Sequence, residues 1–188
     1  MNFNNYLLNI RIKQLVFSLA IILFVCHSTC VKSQNTVNTH VGVVILQPIL
    51  IKETAPLHFG AMSIPETQTD VILSTTKVRS ATSPSGISLV DQPPFSSNAT
   101  YTVAGSANAT YAIDLPSGAV TLSNGSASNN ITVINFKARS SSSNVDGPSG
   151  TLSSSGEDSF SVGATLQLAS SQPSGTYTGA FTVTINYN

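Results

Sequence analysis

A chain of 188 residues that is 9% charged, 41% hydrophobic and 7% aromatic is too apolar for a solvated disordered chain, and its 29 Ser and 20 Thr are too many for a helical bundle. Scarce helix formers, abundant β-branched residues and a length near that of one ordinary domain predict a single all-β domain, which excludes a collagen, a coiled coil or a multidomain enzyme. With a formal charge of +0 and only eight Lys and Arg there is no basic surface for a phosphate backbone, so no nucleic-acid partner is expected.

Met1 to Gln14 carries Arg11 and Lys13 and no acid, and Leu15 to Cys26 is an apolar run of a dozen residues. That is a signal-peptide pattern, and the run is short of the roughly 20 apolar residues that span a membrane. Small residues at the positions a signal peptidase reads allow a cut before Val31 or before Gln34, and the second, preferred here, makes 1–33 the signal peptide. The membrane is then met only during export, and the product belongs in the periplasm, at the cell surface or outside. Cys26 and Cys30 both leave with the signal, so no disulfide framework and no thiolate metal site is expected. Losing Arg11, Lys13 and Lys32 leaves five basic residues against eight acidic ones, a net charge of −3.

From Val41 onward the apolar period is two, in short runs bounded by Gly, Pro, Asn and Ser. Strands are predicted at Val41–Ile51, Val71–Ser74, Ile87–Val90, Tyr101–Ala104, Tyr111–Leu115, Ala119–Leu122, Ile131–Phe136, Ser159–Val162, Thr165–Ala169 and Tyr177–Tyr187. Their number and spacing predict an immunoglobulin-like (pilin-like) antiparallel β-sandwich over 47–188. NATYTV at Asn98–Val103 and NATYAI at Asn108–Ile113 repeat at ten residues and read as neighbouring strands. The Ser-rich stretch Arg139–Gly150 has no apolar period and reads as a flexible loop. In the last strand Phe181, Val183, Ile185 and Tyr187 share one face and Thr182, Thr184 and Asn186 the other. A similar alternation runs through Val37, Thr39, Val41, Val43 and Ile45. Residues 34–46 are therefore either the first strand of the sandwich or an extension that pairs with another copy.

LQPILIKETAPLHFG (Leu46–Gly60), PFSSNATYTVAG (Pro94–Gly105), YAIDLPSGAVTLSNG (Tyr111–Gly125), GTLSSSGEDSFSVGATLQL (Gly150–Leu168) and SGTYTGAFTVTINYN (Ser174–Asn188) cover most of the mature chain. They resemble a bacterial secreted domain family of unknown function whose members look like relatives of the spore-coat-protein-U and chaperone–usher fimbrial subunits. In chaperone–usher subunits the final strand alternates, its penultimate residue is aromatic and a Gly lies fourteen places from the end; Tyr187 and Gly175 match. Many fimbrial subunits carry a disulfide, and the mature chain departs from them there. The resemblance implies assembly by strand complementation, with other copies or related subunits and a periplasmic chaperone as partners. A sandwich that lacks a strand exposes a groove and an unpaired edge, and a donated strand supplies both backbone hydrogen bonds and alternate side chains. Val37, Val41, Val43 and Ile45 would be the donor knobs, with Gly42 allowing close approach on the opposite face; Gly175, Phe181, Val183, Ile185 and Tyr187 would belong to the C-terminal assembly strand.

Chemistry is sparse. There is no GxSxG elbow, and the mature histidines, His40 and His58, stand eighteen residues apart without a cluster. Asp146, Glu157 and Asp158 lack the repeated spacing of a calcium loop, and Glu53, Glu66 and Asp70 suggest no catalytic carboxylate pair. No enzyme activity, cofactor or metal is expected. Lys77 with Arg79 and Lys137 with Arg139 would form a small anion site if their strands adjoined, and otherwise are solvent-facing edge charges. Asn98, Asn108, Asn124 and Asn130 begin N-x-S/T sequons, which a chain this rich in Asn, Ser and Thr produces by chance. A non-enzymatic secreted structural protein is the leading expectation; the alternative is a self-contained module that captures a glycan or surface polymer through loops such as Arg139–Gly150.

Overall fold

The computed structural model describes residues 10–18, 34–83, 86–126 and 129–188. The chain divides into two units, Met1–Val43 and Val44–Asn188. In the first, residues 10–18 are helical and 34–43 carry no regular structure. Both cysteines and both candidate cleavage sites lie outside the described residues. Among the described residues, no helix is long and apolar enough to cross a membrane.

The second unit is an antiparallel β-sandwich of ten strands: β1 (Leu50–Ala55), β2 (Thr69–Leu73), β3 (Arg79–Ala81), β4 (Ala99–Ala104), β5 (Thr110–Asp114), β6 (Val120–Leu122), β7 (Ile131–Ser140), β8 (Ser149–Thr151), β9 (Glu157–Leu168) and β10 (Thr184–Tyr187). The larger layer is built on β9. One edge of β9 pairs with β4 along Glu157–Val162 and then with β2 along Ala164–Leu168, while β7 pairs along its other edge. Strands β1, β3 and β6 extend this layer beside β4, β2 and β7, making seven strands. The smaller layer has three, in the order β10-β5-β8.

Ser159–Val162 and Thr165–Ala169, expected as two strands, are one. Gly163 sits where the edge partner changes from β4 to β2, and a Cβ there would press on the Leu73 carbonyl oxygen and lie 2.7 Å from the carbonyl carbon of Ser74. Glycine lets the neighbouring backbone close over the junction, so β9 continues through it and sends Phe160, Val162, Ala164, Leu166 and Leu168 inward in unbroken alternation. Strand β7 keeps pace by a bulge. Ile131 and Val133 are buried, the register shifts between Ile134 and Lys137 at Asn135 (φ 53°), and Ala138 and Ser140 are buried thereafter. One extra residue thus moves the inward set from odd to even positions.

The core has two parts. Under the small layer, Ala99, Tyr101, Val103, Ala138, Phe160 and Val162 meet Tyr111, Ile113, Leu152 and Ile185. Tyr101 stacks on Phe160 at 4.9 Å. Tyr111 ties the layers together, its hydroxyl donating to Asp158 Oδ2 at 2.9 Å. The two NATY repeats are therefore not neighbours in one sheet: they place Tyr101 and Tyr111 on opposite layers of one core. The second part gathers Val71, Leu73, Ile131, Val133, Ala164, Leu166 and Leu168 with the loop residues Phe59 and Ile87, and no strand of the small layer contributes to it.

Other expectations shift at their ends. The first strand is Leu50–Ala55 rather than Val41–Ile51, and 34–49 enter no ladder among the described residues. Ile87–Val90 is reduced to the isolated bridge Met62↔Leu89. The Ser-rich stretch is tied down: Ser140 belongs to β7 and Ser149 opens β8. Its serines bond Ser140 to Ser143 at 2.7 Å, Ser141 to Ser159 at 2.7 Å and Ser142 to Asp158 at 2.8 Å.

Two outcomes are expected. Gly163→Ala should lower stability by about 1–3 kcal/mol in urea unfolding, because the added methyl meets backbone rather than a side chain that can swing away. Burial, with Glu53 adding to it, pushes the Tyr101 hydroxyl up to about 12, and burial with the Asp158 contact raises Tyr111 further. Unfolded tyrosines ionise near pH 10. Between about 10 and 12 the unfolded chain binds fewer protons, so stability is full below pH 10 and falls as pH rises. Urea midpoints across that range should decline, and less steeply in Tyr101→Phe and Tyr111→Phe.

Candidate functional site

Where the small layer stops, the larger one is left with a groove of about 480 Å³. Its floor is the inward face of the second core part: Val120 and Leu122 of β6, Ile131, Val133 and Phe136 of β7, Leu166 and Leu168 of β9. One wall is 57–65, the segment that follows β1, and the other is 172–181, which leads into β10. Most side chains of the lining are hydrocarbon, thioether or aromatic, which suits an apolar occupant.

Polar groups brace both walls. Arg79 reaches across from β3 and donates to the carbonyls of Phe59 (2.8 Å), Ala61 (3.1 Å) and Val90 (2.9 Å). His58 pairs with Ser97 through two backbone bonds of 2.8 Å, and its Nδ1 accepts from the Gly60 amide. Opposite, Tyr177 donates to the Pro173 carbonyl at 2.8 Å and accepts from Gln172 Nε2 at 3.0 Å, which closes that loop on itself. Thr178 bridges Ser123 by bonds of 2.9 and 3.0 Å.

Between Thr178 and β10 the chain is extended and apolar on alternate residues, yet Gly179–Val183 belong to no ladder among the described residues. The strand expected over Tyr177–Tyr187 is therefore in register for side chains but, among the described residues, paired only through the single bridge at Thr178 and the ladder at Thr184–Tyr187, because β5 ends at Asp114. Phe181 and Val183 are half-buried and Ile185 is buried, with Phe181 packed 4.9 Å from Phe136. Gly175 lines the groove. The C-terminal residues singled out in the sequence thus share one inward face that runs from the covered core into the groove.

The donor residues are placed differently. Val37, Val41, Val43 and Ile45 are 86%, 94%, 83% and 88% exposed, and nothing lies within 4 Å of a Cβ added at Gly42. The basic pairs are not brought together, since β3 and β7 lie on opposite sides of β9. Arg79 is committed to carbonyls, and Arg139 faces Asn144 at 3.0 Å and Asp146 at 3.6 Å. Asp146 also accepts from Thr75 Oγ1 at 2.6 Å. Asn98 of the first sequon is buried and donates to the Ser74 and Val162 carbonyls. Leu57 and Met62 line the groove without any periodic signal in the sequence that would have singled them out.

A family model described as Domain of unknown function (DUF4402) matches residues 49–187, nearly the whole of the second unit. The chain belongs to that family. No curated protein matches it. The match begins one residue before β1 and ends on the last residue of β10, so it covers both walls and the floor of the groove. Replacing Arg79 by Lys keeps the charge but removes the fork that serves three carbonyls, and urea unfolding should show a loss of about 1.5–3 kcal/mol.

Proposed function

We propose that this DUF4402 chain is an exported, non-enzymatic structural subunit of the fimbrial or coat type, which assembles when one copy's residues 37–46 add as a strand to the groove of the next. The observation that supports it best is the conjunction of an apolar groove with an alternating stretch at Gly179–Val183 that enters no ladder among the described residues and whose first three residues line the groove wall. An incoming strand would supply the missing ladder bonds to that stretch and put every second side chain on the floor. Val37, Val41, Val43 and Ile45 alternate in the manner such a floor needs and are exposed. Burial of four branched aliphatic side chains is worth about 1.5–3 kcal/mol each. A periplasmic chaperone that covers the groove before assembly fits the same chemistry, because an open edge of this kind is an aggregation site.

The test is the assembly state of the full chain. Light scattering after size exclusion should show heat-resistant oligomers. Val41→Asp with Val43→Asp should leave the melting of the separate subunit almost unchanged, as both positions are exposed, and should weaken assembly by about a hundredfold or more, because unpaired carboxylates would enter an apolar floor. Assembly of the double variant at wild-type strength overturns strand addition.

A further inference from the structure

At the end of the domain opposite the groove, three residues lock together. The Tyr187 hydroxyl accepts from the Ser106 amide at 2.7 Å and donates to the Gln47 carbonyl at 2.8 Å, and the Gln47 amide donates to Ser106 Oγ at 2.7 Å. Gly105 leaves room for the phenol: a Cβ there would sit on the Tyr187 hydroxyl. Both backbone polar groups of Gln47 are thereby engaged. Pro48 follows, which has no amide of its own and holds the residue before it extended.

The place of this lock matters because β1 starts beside it and leads away from it. Leu50 pairs with Ala104, next to Gly105, and the groove wall 57–65 begins only after β1 has ended. The six residues of β1 cover about 20 Å. A segment that precedes Gln47 could reach the groove of its own domain only by reversing at or just before Gln47 and running back along that distance, and residues 41–46 are themselves only about 20 Å long when fully extended. A turn at Gln47 itself is denied, because that residue precedes a proline and has its N–H and C=O already bonded.

We infer that Tyr187, Ser106 and Gln47 form an exit clamp that denies residues 37–46 their own groove and so reserves them for a second copy. The clamp rests on the strand-addition reading and adds direction to it. Tyr187 acts as a positioning residue, through Gln47 rather than by touching the donated strand. The contact it enforces is heterologous, head to tail and open-ended.

Cysteine trapping separates the possibilities. In the full chain with Cys26→Ser and Cys30→Ser, Val41→Cys and Ala180→Cys are combined, so that a disulfide reports where the segment has gone. With the clamp intact, oxidation should give a ladder of linked chains on a non-reducing gel. Adding Tyr187→Phe should raise the ratio of internally closed monomer to ladder by about tenfold or more, the scale of losing the hydroxyl's bonds to the main chain. Ser106→Ala frees only the Gln47 amide and should shift the ratio the same way by less; it also decides the matter if Tyr187→Phe does not fold. Closed monomer from the chain with its clamp intact overturns the clamp. A ladder that neither substitution alters overturns the clamp while leaving strand addition standing, and no disulfide in any variant overturns both.

Discussion

Seven strands face three. The inner face of the larger layer is apolar along its whole length, because β9 sends Phe160 through Leu168 inward without interruption and β7 follows it from Ile131 to Ala138. The facing layer is made of strands of four, five and three residues and reaches only the first half. Covering the remainder falls to loops, and loops carry backbone polar groups that must be bonded somewhere. The positions of Arg79, His58, Tyr177 and Thr178 all answer that demand: each ties a loop carbonyl or amide that no strand is there to pair.

The same imbalance explains why the groove is held open instead of collapsing. Its walls are cross-braced from outside, by a guanidinium on one side and a phenol on the other, while its floor is the continuous surface of a sheet. Phe136 and Leu57 pack against both parts of the core, so the covered half supports the rim of the uncovered half. A site built in this way is preformed and needs little rearrangement to accept an extended occupant.

How much of this could be read from the residues depended on whether a feature was local. The alternation of Phe181, Val183, Ile185 and Tyr187 correctly assigned an inward face, since side-chain period is a property of the strand itself. It could not reveal that Gly179–Val183 enter no ladder among the described residues, which depends on where β5 ends. The identical alternation at Val37–Ile45 carried no sign that these residues stand outside any ladder, for the same reason. Gly163 looked like a break because glycine usually punctuates strands, whereas here it admits a backbone that is remote in sequence. The bulge at Asn135 reversed the parity that periodicity alone would have extended. Arg79 read as one of a charged pair, and its three carbonyl partners come from segments eleven to twenty residues away. The serines of 140–143 looked free because composition does not show that hydroxyls can satisfy one another and Asp158.

The continuity of β9 through Gly163 also sets how the domain bears a mechanical load. A twelve-residue strand bonded to β4 and β2 along one edge and to β7 over Phe160–Gln167 on the other meets a pull along its axis as shear, with those rungs strained together. Short strands such as β3 and β8, at three residues each, have few rungs over which to share such a load. Had the strand broken at Gly163, tension entering at one end would have found a seam in the middle. As built, the tensile path crosses both halves of the core without one.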